Sequence, residues 1–225
     1  MLMRSLKTNA RHRRHGASGF SLLEMIMVVA LTIVVTVVSV ISLVPLLTAQ
    51  HLTNGYNTTI SALRQARDNA ISQRTSYSVT FSNSSIPNTI VVAPTLAGFQ
   101  GDQSTATYQL PSDVTYKIQS VFASTAPPDN YGAGGTAIDF GYPAPQTGTG
   151  GQTSVYFCPD GSSQNSTGAG NCSGMNYWSG GVIYLGRGTD VLGSRAVTVW
   201  GGTGRIHGWR FVYSSTSGAY AWLRN

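Results

Sequence analysis

Gly19-Phe20-Ser21-Leu22-Leu23-Glu24 opens the stretch that decides the fold, and from Phe20 to Leu47 the chain reads FSLLEMIMVVALTIVVTVVSVISLVPLL. Its single charge is Glu24. At ~1.5 Å rise per residue, such a run spans a hydrocarbon layer of ~30 Å. It is too long and too uniformly apolar for a helix of a soluble core. A cleaved secretory signal has an apolar centre of about 7–15 residues ending at a small-x-small site. This run is longer and ends on Leu47-Thr48-Ala49, and no cysteine lies nearby for a lipid anchor. A plain uncleaved anchor would leave Glu24 unexplained. An ionised carboxylate inside a bilayer costs roughly 2.5–3.5 kcal/mol or more, so Glu24 calls for a partner.

The flanking charge sets the expected topology. The 225 residues carry 14 Lys+Arg against 8 Asp+Glu, a net +6. Arg4, Lys7, Arg11, Arg13 and Arg14 all fall in the first 19 residues, which hold no acid. Without those five, nine bases face eight acids, and the rest of the chain is close to neutral. The basic cluster precedes the apolar run and none comparable follows it. The N-terminus is therefore expected in the cytoplasm and residues 51–225 outside. Charged residues make up 10% of the chain, too few for a disordered polyelectrolyte. The 26 glycines and 11 tyrosines suggest a β-rich part with many turns. Two cysteines exclude a disulfide-dense scaffold and a four-cysteine zinc site.

Beyond the apolar run, Pro45 is expected to kink or loosen the helix. Asn54-Gly55 is a second weak point, with the helix expected to resume by about Asn57. From there Ile60, Leu63, Ala66 and Ala70 recur at helical spacing, with Ile71 adjoining. Arg64, Arg67, Asp68 and Arg74 are expected to face water, with Arg64 and Asp68 as an i,i+4 pair. After Arg74 the period drops to two at Tyr77, Val79 and Phe81. Short strands are expected at Thr89–Ala93, Val114–Gln119, Thr136–Phe140, Ser154–Phe157, Val182–Leu185, Arg195–Trp200 and Arg205–Tyr213. Ala126–Gly135 and Tyr142–Gln152 read as surface loops. Cys158 and Cys172 enclose Pro159–Asn171. Outside the cytoplasm a disulfide between them is chemically reasonable, and buried free thiols are the alternative.

The junction resembles the processing site of type IV prepilins and type II secretion pseudopilins: a basic leader ending in glycine, then phenylalanine, then glutamate as fifth mature residue. That resemblance implies cleavage after Gly19 by a membrane prepilin peptidase and N-methylation of Phe20. Glu24 would then serve assembly by pairing with the freed amine of a neighbouring subunit, so that two charges costly in lipid compensate one another. Three further stretches are similar to the GspH/FimT family of minor pseudopilins and minor pilins. They are Ala66-Arg67-Asp68-Asn69-Ala70-Ile71, Phe157-Cys158-Pro159-Asp160-Gly161, and the strand pair around Arg195–Trp200 with Gly204-Arg205-Ile206. The fold implied is α+β, a pilin fold: a long N-terminal transmembrane helix packed on an antiparallel β-rich head. Residues 1–19 would be the leader, 20–47 the membrane and assembly helix, 48–75 its amphipathic continuation and 76–225 a periplasmic head. The implied function is that of a minor pseudopilin of a type II secretion system, near the filament tip, helping to start assembly. A minor type IV pilin serving pilus biogenesis or DNA uptake is the alternative. The implied partners are the peptidase, other major and minor subunits, and an inner-membrane assembly platform.

No cofactor or metal is called for, and no catalytic residue is assigned. Phosphate-loop, G-x-G-x-x-G, G-x-S-x-G and H-E-x-x-H patterns are absent. The chain is therefore expected not to be an enzyme. Nucleic acid has one foothold: strand alternation puts Arg205, His207, Trp209, Phe211 and Tyr213 on one face, and arginine with aromatic rings suits phosphates and bases. Arg205 and Arg210 are the candidates. DNA-uptake relatives carry Gly-Arg-x-Arg here, whereas this chain has Gly204-Arg205-Ile206-His207. The more economical reading makes the aromatics core and the arginines solubilising edge residues.

Overall fold

The computed structural model describes residues 20–95, 104–121, 127, 129–131, 136–143, 151–164, 172 and 178–225. The expected leader, residues 1–19 with Gly19, lies outside the described residues, as do parts of both expected loops. One helix, α1 (Leu22–Gln73), is followed among the described residues by strands only. These are β1 (Tyr77–Ser82), β2 (Thr89–Pro94), β3 (Ala106–Gln109), β4 (Thr115–Tyr116), β5 (Ile138–Pro143), β6 (Ser154–Phe157), β7 (Ser163–Gln164), β8 (Ser179–Arg187), β9 (Asp190–Val199), β10 (Ile206–Ser214) and β11 (Ala219–Arg224). The class is α+β, with every strand pairing antiparallel. The chain divides into two units, Met1–Val44 and Pro45–Asn225.

In the first unit, Leu22–Ile41 is apolar enough to cross a membrane, and none of it is buried. Its hydroxyls bond the helix's own backbone: Thr32 Oγ1 donates to Val29 O (2.8 Å), Thr36 Oγ1 to Thr32 O (2.7 Å) and Ser39 Oγ to Val35 O (2.8 Å). A hydroxyl satisfied in this way does not need water, which suits a lipid-facing helix.

In the second unit, helix residues Leu52, Tyr56, Ala62, Leu63, Ala66 and Ala70 bury one stripe. It packs with Val79, Phe81, Ile90 and Val92 of a sheet ordered β3-β2-β1-β6-β7. The same core takes in Ile183, Leu185, Val197 and Val199 of the second sheet, ordered β11-β10-β9-β8-β4, with β5 also on β8. The second sheet buries its other face in a separate cluster around Val182, Tyr184, Trp209, Phe211 and Trp222. Covered on both sides, β8 is buried from Ser179 through Gly186. A near-continuous apolar run is what such a strand requires.

Several expectations need correction. No break occurs at Asn54-Gly55: α1 is helical through this dipeptide and through Pro45. A Cβ at Gly55 would come within 3.0 Å of Val114, and this close helix-to-loop packing outweighs glycine's poor helix propensity. Arg64 and Asp68 are both exposed, and no ion pair joins them among the described residues. The strand expected over Val114–Gln119 shrinks to Thr115–Tyr116; just beyond it Lys117 N–H donates to Tyr184 O (3.1 Å), and the Lys117 and Gln119 side chains donate to Gly188 O (2.7 and 3.4 Å). β3, β7 and β11 were not expected. For β11 the signal lies in Ser214–Gly218, a turn with Gly218 at φ +65°, followed by alternating Tyr220 and Trp222.

Candidate functional site

At the amino end of α1, Ser21 O accepts from the N–H of Glu24 (3.0 Å) and of Met25 (3.1 Å). Ser21-Leu22-Leu23-Glu24 also has the capping-box spacing, with the acid in the first turn. A carboxylate there is stabilised by the helix dipole, by ~0.3–1 kcal/mol when exposed. That is less than the bilayer penalty for a charge, so the dipole alone would not offset the cost of Glu24 were this helix to cross a membrane. Phe20 is 77% exposed and Glu24 is exposed as well, followed by an exposed apolar helix surface through Ile41.

The second unit brings three distant stretches together at Arg67. Its Nε donates to Gly161 O (3.1 Å) and its second guanidinium nitrogen to Thr203 O (3.2 Å), across 94 and 136 positions of sequence. Phe157-Cys158-Pro159-Asp160-Gly161 supplies the first acceptor through a tight turn. In it Gly161 N–H donates to Cys158 O (2.8 Å), Cys158 N–H to Ser162 O (2.9 Å), and Asp160 Oδ1 accepts from Ser162 N–H (2.8 Å). A disulfide between Cys158 and Cys172 closes the loop leaving this turn. Gly204 supplies the other side. Its φ is +56°, and a Cβ there would lie 2.1 Å from Gly161 O, so only glycine lets these two turns touch.

Beside this junction lies an open groove lined by Arg64, Arg67, Asp68, Arg205, His207 and Arg224. Four guanidinium groups thus share the lining with one carboxylate, and among the described residues Arg64, Arg205 and Arg224 form no ion pair. Arg210 lies elsewhere. An odd number of steps separates it from Arg205, so strand alternation turns them to opposite faces. Arg210 instead opposes Arg195 on β9. Burial, together with the facing Arg210 charge, holds the Arg195 guanidinium below the ordinary arginine range.

The aromatic residues named with Arg205 divide. Trp209 (6% exposed) and Phe211 (1%) are core, whereas Tyr213 is 51% exposed. Trp209 Nε1 donates to Thr198 Oγ1 (2.9 Å), Thr198 Oγ1 donates to Asp129, and His207 Nδ1 lies 3.0 Å from the same carboxylate. Sequence reading missed this network, and also Arg64, Arg67 and Arg224 as neighbours of Arg205. No local pattern announces contacts made across the whole head.

A second polar cluster ties α1 to the sheet. Asp113 Oδ1 lies 3.0 Å from His51 Nδ1, and its Oδ2 accepts from Arg187 Nε at 2.7 Å. Slight desolvation pushes the Asp113 carboxyl up, but hydrogen bonds from His51 and Arg187 outweigh it and hold the group below the ordinary carboxylate range. Searches of family profiles, of curated proteins and of solved structures find no match to this chain.

Proposed function

We propose that this chain is a prepilin-like filament subunit, a minor pseudopilin of a type II protein secretion system, with a pilin fold. Peptidase cleavage after Gly19 frees the Phe20 amine for methylation. The helix sits in the bacterial inner membrane with its amino end cytoplasmic and the head periplasmic. Other subunits and an assembly platform draw it into a short filament, where it helps start assembly near the tip. It performs no chemistry of its own and needs no cofactor. The observation that carries this reading is Glu24, the single charge in the exposed apolar stretch Leu22–Ile41 of α1, five positions beyond Gly19. A neighbour's new α-amine is the partner such a carboxylate requires in lipid.

The test expresses the full chain with and without a prepilin peptidase and reads the amino terminus by mass spectrometry. The expected product begins at N-methylated Phe20. Gly19→Ala or a bulkier residue blocks processing, whereas Glu24→Val is processed but fails to enter filaments. A mature terminus elsewhere overturns the reading. A deletion strain scored for both exoprotein secretion and transformation separates a secretion machine from a type IV pilus.

A further inference from the structure

β11 is the outermost strand of its sheet, and among the described residues nothing pairs with its outer edge. Edge strands are ordinarily blunted by charge, proline or a bulge. From Ala219 to Leu223, β11 has no charged residue and no proline, and its register with β10 is unbroken. Asn225 N–H donates to Gly208 O (2.9 Å). Alternation then directs the backbone groups of Leu223, Ala221 and Ala219 toward β10, and those of Tyr220 and Arg224 outward. The flanking side chains are apolar and accessible, with Tyr220 41% and Leu223 50% exposed. Such an edge accepts a further strand through main-chain hydrogen bonds.

What lies at the end of this edge specifies the occupant. Arg224, the last residue of β11, lines the groove shared with Arg64, Arg67 and Arg205. A strand laid along β11 therefore runs from an uncharged edge into a cluster of arginines among which, of the described residues, Asp68 is the one carboxylate. We propose that β11 and this groove form one docking surface for an extended polypeptide segment of another protein. The segment is uncharged beside Ala219–Leu223 and carries carboxylates where it passes Arg224. Guanidinium groups hold carboxylates through paired hydrogen bonds. A nucleic-acid strand fits less well. It cannot use the outward amides of β11 as a ladder, and Trp209 and Phe211 are buried. The exposed Tyr213–Tyr220 pair sits four registers from Arg224, roughly 13 Å away at ~3.3 Å per residue.

The inference goes beyond the proposed function and uses a separate readout, since peptide binding is independent of cleavage at Gly19. The full chain in lipid nanodiscs is titrated against fluorescent ten-residue peptides of alternating Thr and Val ending in three Glu, in both sequence orders. Controls end in three Lys, or carry N-methyl groups at alternate residues. Single-stranded and duplex DNA of matched length complete the set. The expected result is binding of a Glu-ended peptide at least tenfold tighter than its Lys-ended counterpart, lost on N-methylation. Tyr220→Pro removes an outward N–H without touching the β10 ladder and weakens binding at least tenfold. Should that variant unfold, Arg224→Glu with Arg205→Glu shifts preference toward the Lys-ended peptide. Equal binding of all peptides overturns the proposal, as does insensitivity to N-methylation. So does DNA binding that is tighter than, and competitive with, the Glu-ended peptide.

Discussion

Arg67 shows most clearly how a residue acquires a role that its local sequence conceals. Helical spacing places it on a water-facing side, yet its guanidinium is half-buried against Gly161 O and Thr203 O. Hydrogen bonds to charged groups contribute about 1.5–3 kcal/mol when well shielded. Partial exposure here reduces that, so Arg67→Ala is expected to lower head stability by ~1–2 kcal/mol in a denaturant titration, with Arg64→Ala within ~0.5 kcal/mol of wild type. Gly208 is more demanding. A Cβ there would stand 1.7 Å from the Tyr56 hydroxyl oxygen, so Gly208→Ala must displace the buried Tyr56 ring from its place between α1 and the sheet. Overpacking of this kind costs about 1–3 kcal/mol, read in the same titration. Asp113 gives the pH dependence. Its carboxyl titrates lower when folded than when unfolded. Its contribution is therefore full above the ordinary aspartate value of about 3.9 and is lost as pH falls through the folded value. Thermal melts of wild type and Asp113→Asn should differ at pH 6 and converge in acid. A constant gap down to pH 2 would contradict this assignment.

Among the elements, α1 was the most legible because its two halves obey different solvents. Leu22–Ile41 has no buried side, whereas the stripe through Leu63, Ala66 and Ala70 is fully buried. Both patterns are visible in residue order. The neighbouring Ile71 remains 42% exposed, at the edge of the helix that meets the Gly161 turn. Strands with strict alternation, such as Tyr77–Ser82 and Ser154–Phe157, were equally readable. Two-residue β7 was not, because its pairing is fixed by the turn beneath Cys158 rather than by its own side chains. The disulfide pairing followed from there being only two cysteines. Cys158 and Cys172 are 14 positions apart, and closing a loop of that size contributes ~3 kcal/mol in the chain-entropy model. Cys158→Ala with Cys172→Ala should lower the denaturation free energy by about that amount. It should also loosen the Gly161 turn, seen as faster amide exchange at Gly161 and Ser162.

At the scale of the whole molecule, the net charge of +6 is unevenly placed along the chain. Five of the basic residues lie in the first 19 positions, ahead of the apolar run. On cleavage at Gly19, nine bases would face eight acids, and the product should focus well below the precursor's isoelectric point of about 9.5. Isoelectric focusing before and after peptidase treatment checks this, and an unchanged value would mean that the leader is retained. What positive charge remains is gathered: Arg64 and Arg67 from α1 meet Arg205 and Arg224 from the far end of the chain. Residue order by itself determined the apolar helix, its lone carboxylate, the basic flank, the α+β class and the one possible disulfide. Each of these depends on the local match between side chains and solvent, or on composition. Only the tertiary structure decided that Tyr213 stays exposed where Trp209 and Phe211 are core, that Arg205 and Arg224 share a groove with Arg64 and Arg67, and that the Gly161 and Thr203 turns meet at Arg67. Those outcomes depend on which sheet faces are covered and which turns touch, and contacts spanning 94 and 136 positions leave no periodic trace along the chain.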